Sequence, residues 1–104
     1  MASSSNDRRV VVTGIGVVTP VGNDLETFWT NLLAGQCGID RITAFDAVPF
    51  DCQIAAEVKE FDAAPFFPSP KEARRSDRFT QFGVAAAHMA VSRALVRLAK
   101  EMAV

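Results

Sequence analysis

The stretch that most limits what this chain can fold into is Phe82 to Val91, FGVAAAHMAV. On a helix of 3.6 residues per turn its residues are small and apolar all the way round. Such a helix has no polar face to offer water, so other elements must cover it on every side. Gly83 and the alanines also let a neighbour approach closely. The whole chain supplies two short strands and two helices, this one included. A two-stranded sheet cannot enclose a helix and leaves its own edges open. The sequence therefore reads as part of a larger fold or of an obligate assembly.

The elements emerge from pattern and punctuation. Arg9 to Thr13 reads as a buried strand, because three consecutive valines without alternation suit a strand covered on both faces. Gly14 and Gly16 then loosen the backbone, and Thr19-Pro20 turns it. Asn23 is placed to cap a helix, with Glu26 three residues on as the partner of a capping box. Leu25, Phe28, Trp29, Leu32 and Leu33 fall on one broad face of that helix, and Gly35 ends it. Gln36 to Phe50 reads as a loop with apolar anchors, Gln53 to Val58 as a strand, and the proline-rich stretch Phe61 to Pro70 as irregular. Ser69 caps a second helix, Pro70 suits its first position, and Glu72 completes an S-x-x-E box. That helix is expected to run on without a break through Val91.

Composition narrows the class. The chain has 104 residues, is 49% apolar and 22% charged, and carries a net charge of −1. These are the proportions of an ordinary soluble globular protein. Without a global positive field, bulk binding to nucleic acid is not expected. Cys37 and Cys52 are too far apart for a C-x-x-C motif, and His88 is the single histidine, so no metal site is expected and the thiols read as free. Residues 1–7 form a small polar tail, expected to be disordered, with no apolar core of a secretory signal behind it. The charge-free apolar run Val10 to Gly22 is shorter than the ~20 residues that span a bilayer. A cytoplasmic protein without membrane contact is expected.

Two motifs invite a functional reading. The glycines of TGIG resemble a nucleotide-binding loop, but a dinucleotide fold needs G-x-G-x-x-G opening directly into a helix. Here Thr19 stands at the third glycine, Pro20 and Val21 come next, and no Walker lysine and hydroxyl pair is present. A tight strand exit is the preferred reading, with no cofactor site. The second motif is KEARRSDRF. On one continuous helix Lys71, Arg74, Arg75 and Arg78 fall within an arc of about 100°, and positive charge in a first turn opposes the helix macrodipole. Physics alone favours a solvated face paired locally with Glu72 and Asp77 over a docking patch for an anionic partner. Cys37 lacks a local base and a helix N-terminus, Cys52 sits beside Asp51, and His88 and Trp29 read as core residues.

Taken together, RRVVVTGIGVVTPVGN, FWTNLLAGQCGI and KEARRSDRFTQFGVAAA resemble the start of a β-ketoacyl-acyl-carrier-protein synthase, the elongating type II enzyme above all, over Arg8 to Val91. The resemblance implies an α/β fold of the thiolase-like kind, a mixed sheet between helices, of which this chain is the N-terminal part of the first half only. It divides the chain into residues 1–7, the synthase segment 8–91, and a divergent helical end 92–104, where the family has an Asp-Ala-Gly-Leu-like stop and this chain does not. It implies a homodimeric parent enzyme and an acyl-carrier protein as partner. The family's catalytic cysteine and two histidines come well after the matched region, and Cys37, Cys52 and His88 do not align with them. The resemblance thus implies no catalytic residue in this chain, and no activity alone. In the parent enzyme it implies acyl transfer to a cysteine thiolate, then decarboxylative condensation of malonyl-carrier protein, with no cofactor or metal. One functional element carries over: Lys71, Arg74 and Arg75 resemble the family's carrier-protein docking surface, which raises docking above the solvated-face reading. The alternative is a non-catalytic module that docks a carrier protein or a ketosynthase partner.

Overall fold

The structure, a computed structural model, describes residues 7–102; of the polar tail it includes Asp7 alone, and the last two residues of the helical end also fall outside it. The elements in order are α1 (Leu25–Leu33), β1 (Ile39–Arg41), β2 (Ile54–Ala56), a 3-10 turn (Ala64–Phe66), α2 (Pro70–Arg75) and α3 (Arg78–Met102).

The valine run does not form a strand. Val10, Val11 and Val12 are 94%, 69% and 74% exposed, and no ladder forms along Arg9–Thr13. Consecutive valines encode cover on both faces, and a strand needs a hydrogen-bonded neighbour; among the described residues none lies alongside. The glycine segment after the valines is held against α3. A Cβ at Gly14 would overlap the Ala90 carbonyl oxygen, and one at Gly16 would overlap that of Ala86. The two glycines let the chain lie directly on the alanine side of α3. Beyond them Thr19-Pro20-Val21-Gly22 closes a turn, with paired backbone bonds between Thr19 and Gly22 (2.9 and 3.2 Å) and the Thr19 hydroxyl inside it.

α1 starts one residue later than its capping-box pattern suggests. Asp24 is the cap: its carboxylate accepts from the Thr27 N–H at 2.8 Å and from the Thr27 hydroxyl at 2.9 Å. Asn23 instead donates its amide to the Lys59 carbonyl at 2.8 Å, and Glu26 pairs with Arg93 of α3, also at 2.8 Å. The end is as expected. Gly35 has φ +73°, Gln36 donates back to the Asn31 carbonyl and Gly35 to that of Leu32, the pattern of a Schellman motif. The apolar face of α1 is open, with Trp29 55% and Leu33 71% exposed.

The expected loop at 36–50 contains β1, which pairs antiparallel with β2 in the register Ile39↔Ala56, Asp40↔Ala55, Arg41↔Ile54. The long connector between them is clamped by Glu57. Its carboxylate accepts from the Thr43 N–H, the Thr43 hydroxyl and the Ala44 N–H, each at 3.0 Å. The backbone bond from Thr43, supported by the other two and by Lys59, holds this carboxyl below the usual carboxylate range.

The expected continuous second helix is two. α2 ends at Arg75, and Ser76 turns extended (ψ 144°) before α3 begins at Arg78. Ser and Asp both favour bonding to nearby backbone over continuing a helix, and Ser76 donates its hydroxyl to the Glu72 carbonyl at 3.1 Å. α3 then runs unbroken to Met102, through the described part of the segment expected to diverge. It carries Ala85, which is fully buried, but Phe79, Val91, Leu95, Val96 and Leu98 are exposed. By length and composition α3 is also long and apolar enough to cross a membrane, although Arg93 interrupts it.

Candidate docking surface

The residues singled out from the sequence for binding, Lys71, Arg74 and Arg75, all lie on α2 and all are solvent-exposed. Three features hold this six-residue helix in place. Ser69 caps it by accepting from the Glu72 N–H at 3.3 Å, with Pro70 at the first helical position; the Glu72 side chain makes no return bond among the described residues. Ala73, 4% exposed, anchors the inner side. At the far end Gln81, from the first turn of α3, donates its side-chain amide to the Ala73 carbonyl at 2.7 Å and to the Ser76 carbonyl at 3.4 Å.

Breaking the helix at Ser76 changes the electrostatics expected from the sequence. Arg74 and Arg75 occupy the last turn of α2, where positive charge complements the macrodipole instead of opposing it. Arg78 leaves the arc. It opens α3, donates to the Val58 carbonyl at 2.8 Å and lies 4.9 Å over the Phe82 ring, so it is committed to internal contacts. The local ion pairs expected of a solvated face do not form. Among the described residues the ion pairs are Arg93–Glu26 and Arg97–Glu101, and neither involves α2. Lys71, Arg74 and Arg75 therefore present positive charge that no carboxylate pairs with directly among the described residues.

The surroundings are rigidified by aromatic contacts. Phe82 of α3 meets Phe61 edge-on at 5.1 Å, Phe61 stacks parallel to Phe66 at 6.3 Å, and Phe66 meets His88 at 5.5 Å. This chain of rings fastens the segment before α2 onto α3. His88, expected in a core, is exposed and serves as the last ring of that series. A shallow cavity of about 240 Å³ lies between the two, with Phe61, Ala63, Ala73, Arg74 and Gln81 among its lining residues. Cys37 and Cys52 are exposed free thiols, each pointing its sulfur at a backbone carbonyl two residues on. Pattern and spacing pass over Gln81, yet the sequence carries a signal for it. A polar side chain one turn into a helix that comes after a Ser-Asp break can reach back to the carbonyls the break leaves open.

Residues 7–102 match the family described as β-ketoacyl synthase, N-terminal domain. The 3-oxoacyl-[acyl-carrier-protein] synthase 2 of Staphylococcus aureus is 47% identical over 87 residues, covering 84% of this chain and 21% of its own. The enzyme of the same name from Synechocystis is 48% identical over 85 residues, covering 82% of this chain and 20% of its own. Among solved structures, the ishigamide ketosynthase/chain length factor superposes with a TM-score of 0.73 at 39% identity, over 84% of this chain and 21% of that one. The chain thus spans about a fifth of the length of the relatives it matches.

Proposed function

The chain belongs to the β-ketoacyl synthase family, and from that membership we propose that it is the N-terminal portion of an enzyme that condenses acyl groups with malonyl-acyl-carrier protein in fatty acid biosynthesis. In this reading the 104 residues supply part of the first thiolase-like half and the entry surface for the substrate carrier. The bond-making residues, a cysteine and two histidines, lie outside the matched segment, and the piece alone is inactive. The parent enzyme is a cytoplasmic homodimer that needs no metal or organic cofactor and contacts neither membrane nor nucleic acid.

The observation that carries the docking role is a basic helix whose cations form no ion pair among the described residues. Carrier proteins are acidic, and complementary charge raises encounter rates and selects partners more than it adds raw affinity. Arg74 and Arg75 at a helix C-terminus, Lys71 one turn earlier and the absence of a carboxylate partner among the described residues suit that task. The full natural protein that carries this segment is expected to form a β-ketoacyl-carrier protein from acyl- and malonyl-carrier protein with release of carbon dioxide, while the 104-residue chain is expected to form none. A full protein without malonyl-dependent condensation would overturn the assignment.

A further inference from the structure

The three docking cations sit on a helix that cannot hold itself. Six residues are far below the length at which an isolated helix persists in water, because nucleation costs more than so few bonds return. The cations make no ion pair that would orient them among the described residues. Their direction in space is therefore set by what grips the α2 backbone. At the N-terminal end the grip is local, from Ser69. At the C-terminal end Ser76 serves the carbonyls of Glu72 and Ala73, again from within the segment. The described side-chain bond that ties this end of α2 to another helix is that of Gln81. Its amide nitrogen reaches back across the break, to Ala73 in α2 and to Ser76 in the link, while its backbone N–H is already fixed in α3 by the Asp77 carbonyl at 3.0 Å.

We propose that Gln81 is a positioning residue for carrier-protein docking, fixing the orientation of the basic helix α2 relative to α3 through its side-chain amide. The proposal rests on the docking role assigned to α2 above. Docking by point charges on long side chains depends on their common origin: if α2 rotates or frays, the three cations no longer face one partner surface together. Gln81 carries no charge, so an effect of its removal on binding comes from geometry and not from lost Coulomb attraction.

The test compares Q81M, which keeps the size of the side chain and removes the donor, with the charge reversal R74E/R75E, both in the full natural protein. Two readouts are needed: amide hydrogen exchange, and affinity for a holo-acyl-carrier protein. Q81M is expected to speed exchange at residues 73–76 at least fivefold, leave residues 85–95 unchanged, and weaken binding three- to tenfold. Q81K, which retains a donor of similar reach, is expected to restore the protection at 73–76. Unchanged exchange at 73–76 in Q81M overturns the proposal, as does unchanged binding in Q81M when R74E/R75E lowers it. Should Q81M also lose protection at 85–95, Q81E, of the same shape but without the donor when ionised, carries the same comparison. If R74E/R75E binds like the wild type, the docking reading itself falls, and the role given to Gln81 in docking falls with it; the exchange data then still report whether Gln81 holds α2.

Discussion

Glu57 shows how much a single side chain decides where secondary structure is sparse. It receives three hydrogen bonds from Thr43 and Ala44 and so shuts a connector that has no strand of its own. Because these bonds favour the ionised form, its carboxyl titrates below the ordinary value of 4.5. With the folded value depressed, the clamp is fully present above about pH 4.5 and is lost as pH falls through the lower folded value. The Thr43 and Ala44 amide resonances are expected to shift together on acidification, with a midpoint below that of a free glutamate, and in E57Q this titration is expected to vanish; a midpoint at or above 4.5 contradicts the clamp. No spacing rule points to Glu57, since its partners lie thirteen and fourteen residues away. Gly14 and Gly16 are more legible. Their mismatch to a phosphate loop can be read directly, which leaves a structural use. Their purpose, close contact with the Ala86 and Ala90 carbonyls, depends on a helix some seventy residues on and cannot be read locally.

At the level of elements, caps are readable in kind and not always in position. Asn23 and Asp24 are equally good caps. The Glu26 three residues after Asn23 favours the wrong one, because Glu26 pairs instead with Arg93 of α3. Asp24 makes both capping bonds, so D24A is expected to cost ~1 kcal/mol of local stability, which amide exchange at residues 25–33 would register as roughly fivefold faster opening. D24N, which keeps an acceptor, is expected to stay near the wild-type rate; equal rates in D24A and wild type would contradict the assignment of the cap. The break at Ser76-Asp77 escapes the helical pattern because the basic arc of Lys71, Arg74, Arg75 and Arg78 runs on across it. The chemical signal lies in the residues themselves, two cap formers in succession. β1 escapes for another reason: Ile39-Asp40-Arg41 has no buried face, and pairing with β2 alone defines it.

The whole molecule displays the conclusion first drawn from FGVAAAHMAV. Its accessible surface is 8376 Å², against about 5,700 Å² for a compact protein of this mass. Its radius of gyration is 18.6 Å, against about 13 Å for a compact domain of 100 residues. Among the described residues the buried apolar ones are Ala47, Ala63, Ala73 and Ala85, while the Val10–Val12 run, Trp29, Phe79 and Leu95 face outward. The excess surface is larger than the ~800 Å² that each partner contributes to a standard interface. Local turns, caps and the basic helix are thus complete within these residues, whereas the valine run and much of the apolar surface of α3 are left uncovered. The basic helix α2, the proposed docking element, belongs to the complete part. The most direct measurement is the affinity of the full natural protein for a holo-acyl-carrier protein, titrated at low salt and at about 0.5 M salt for wild type and R74E/R75E. Screening shortens the reach of exposed charge, so the wild type is expected to bind more weakly in salt. R74E/R75E is expected to lose at least tenfold at low salt, about 1.4 kcal/mol, and to show little further salt dependence. Equal affinities for the two proteins at low salt would contradict the account.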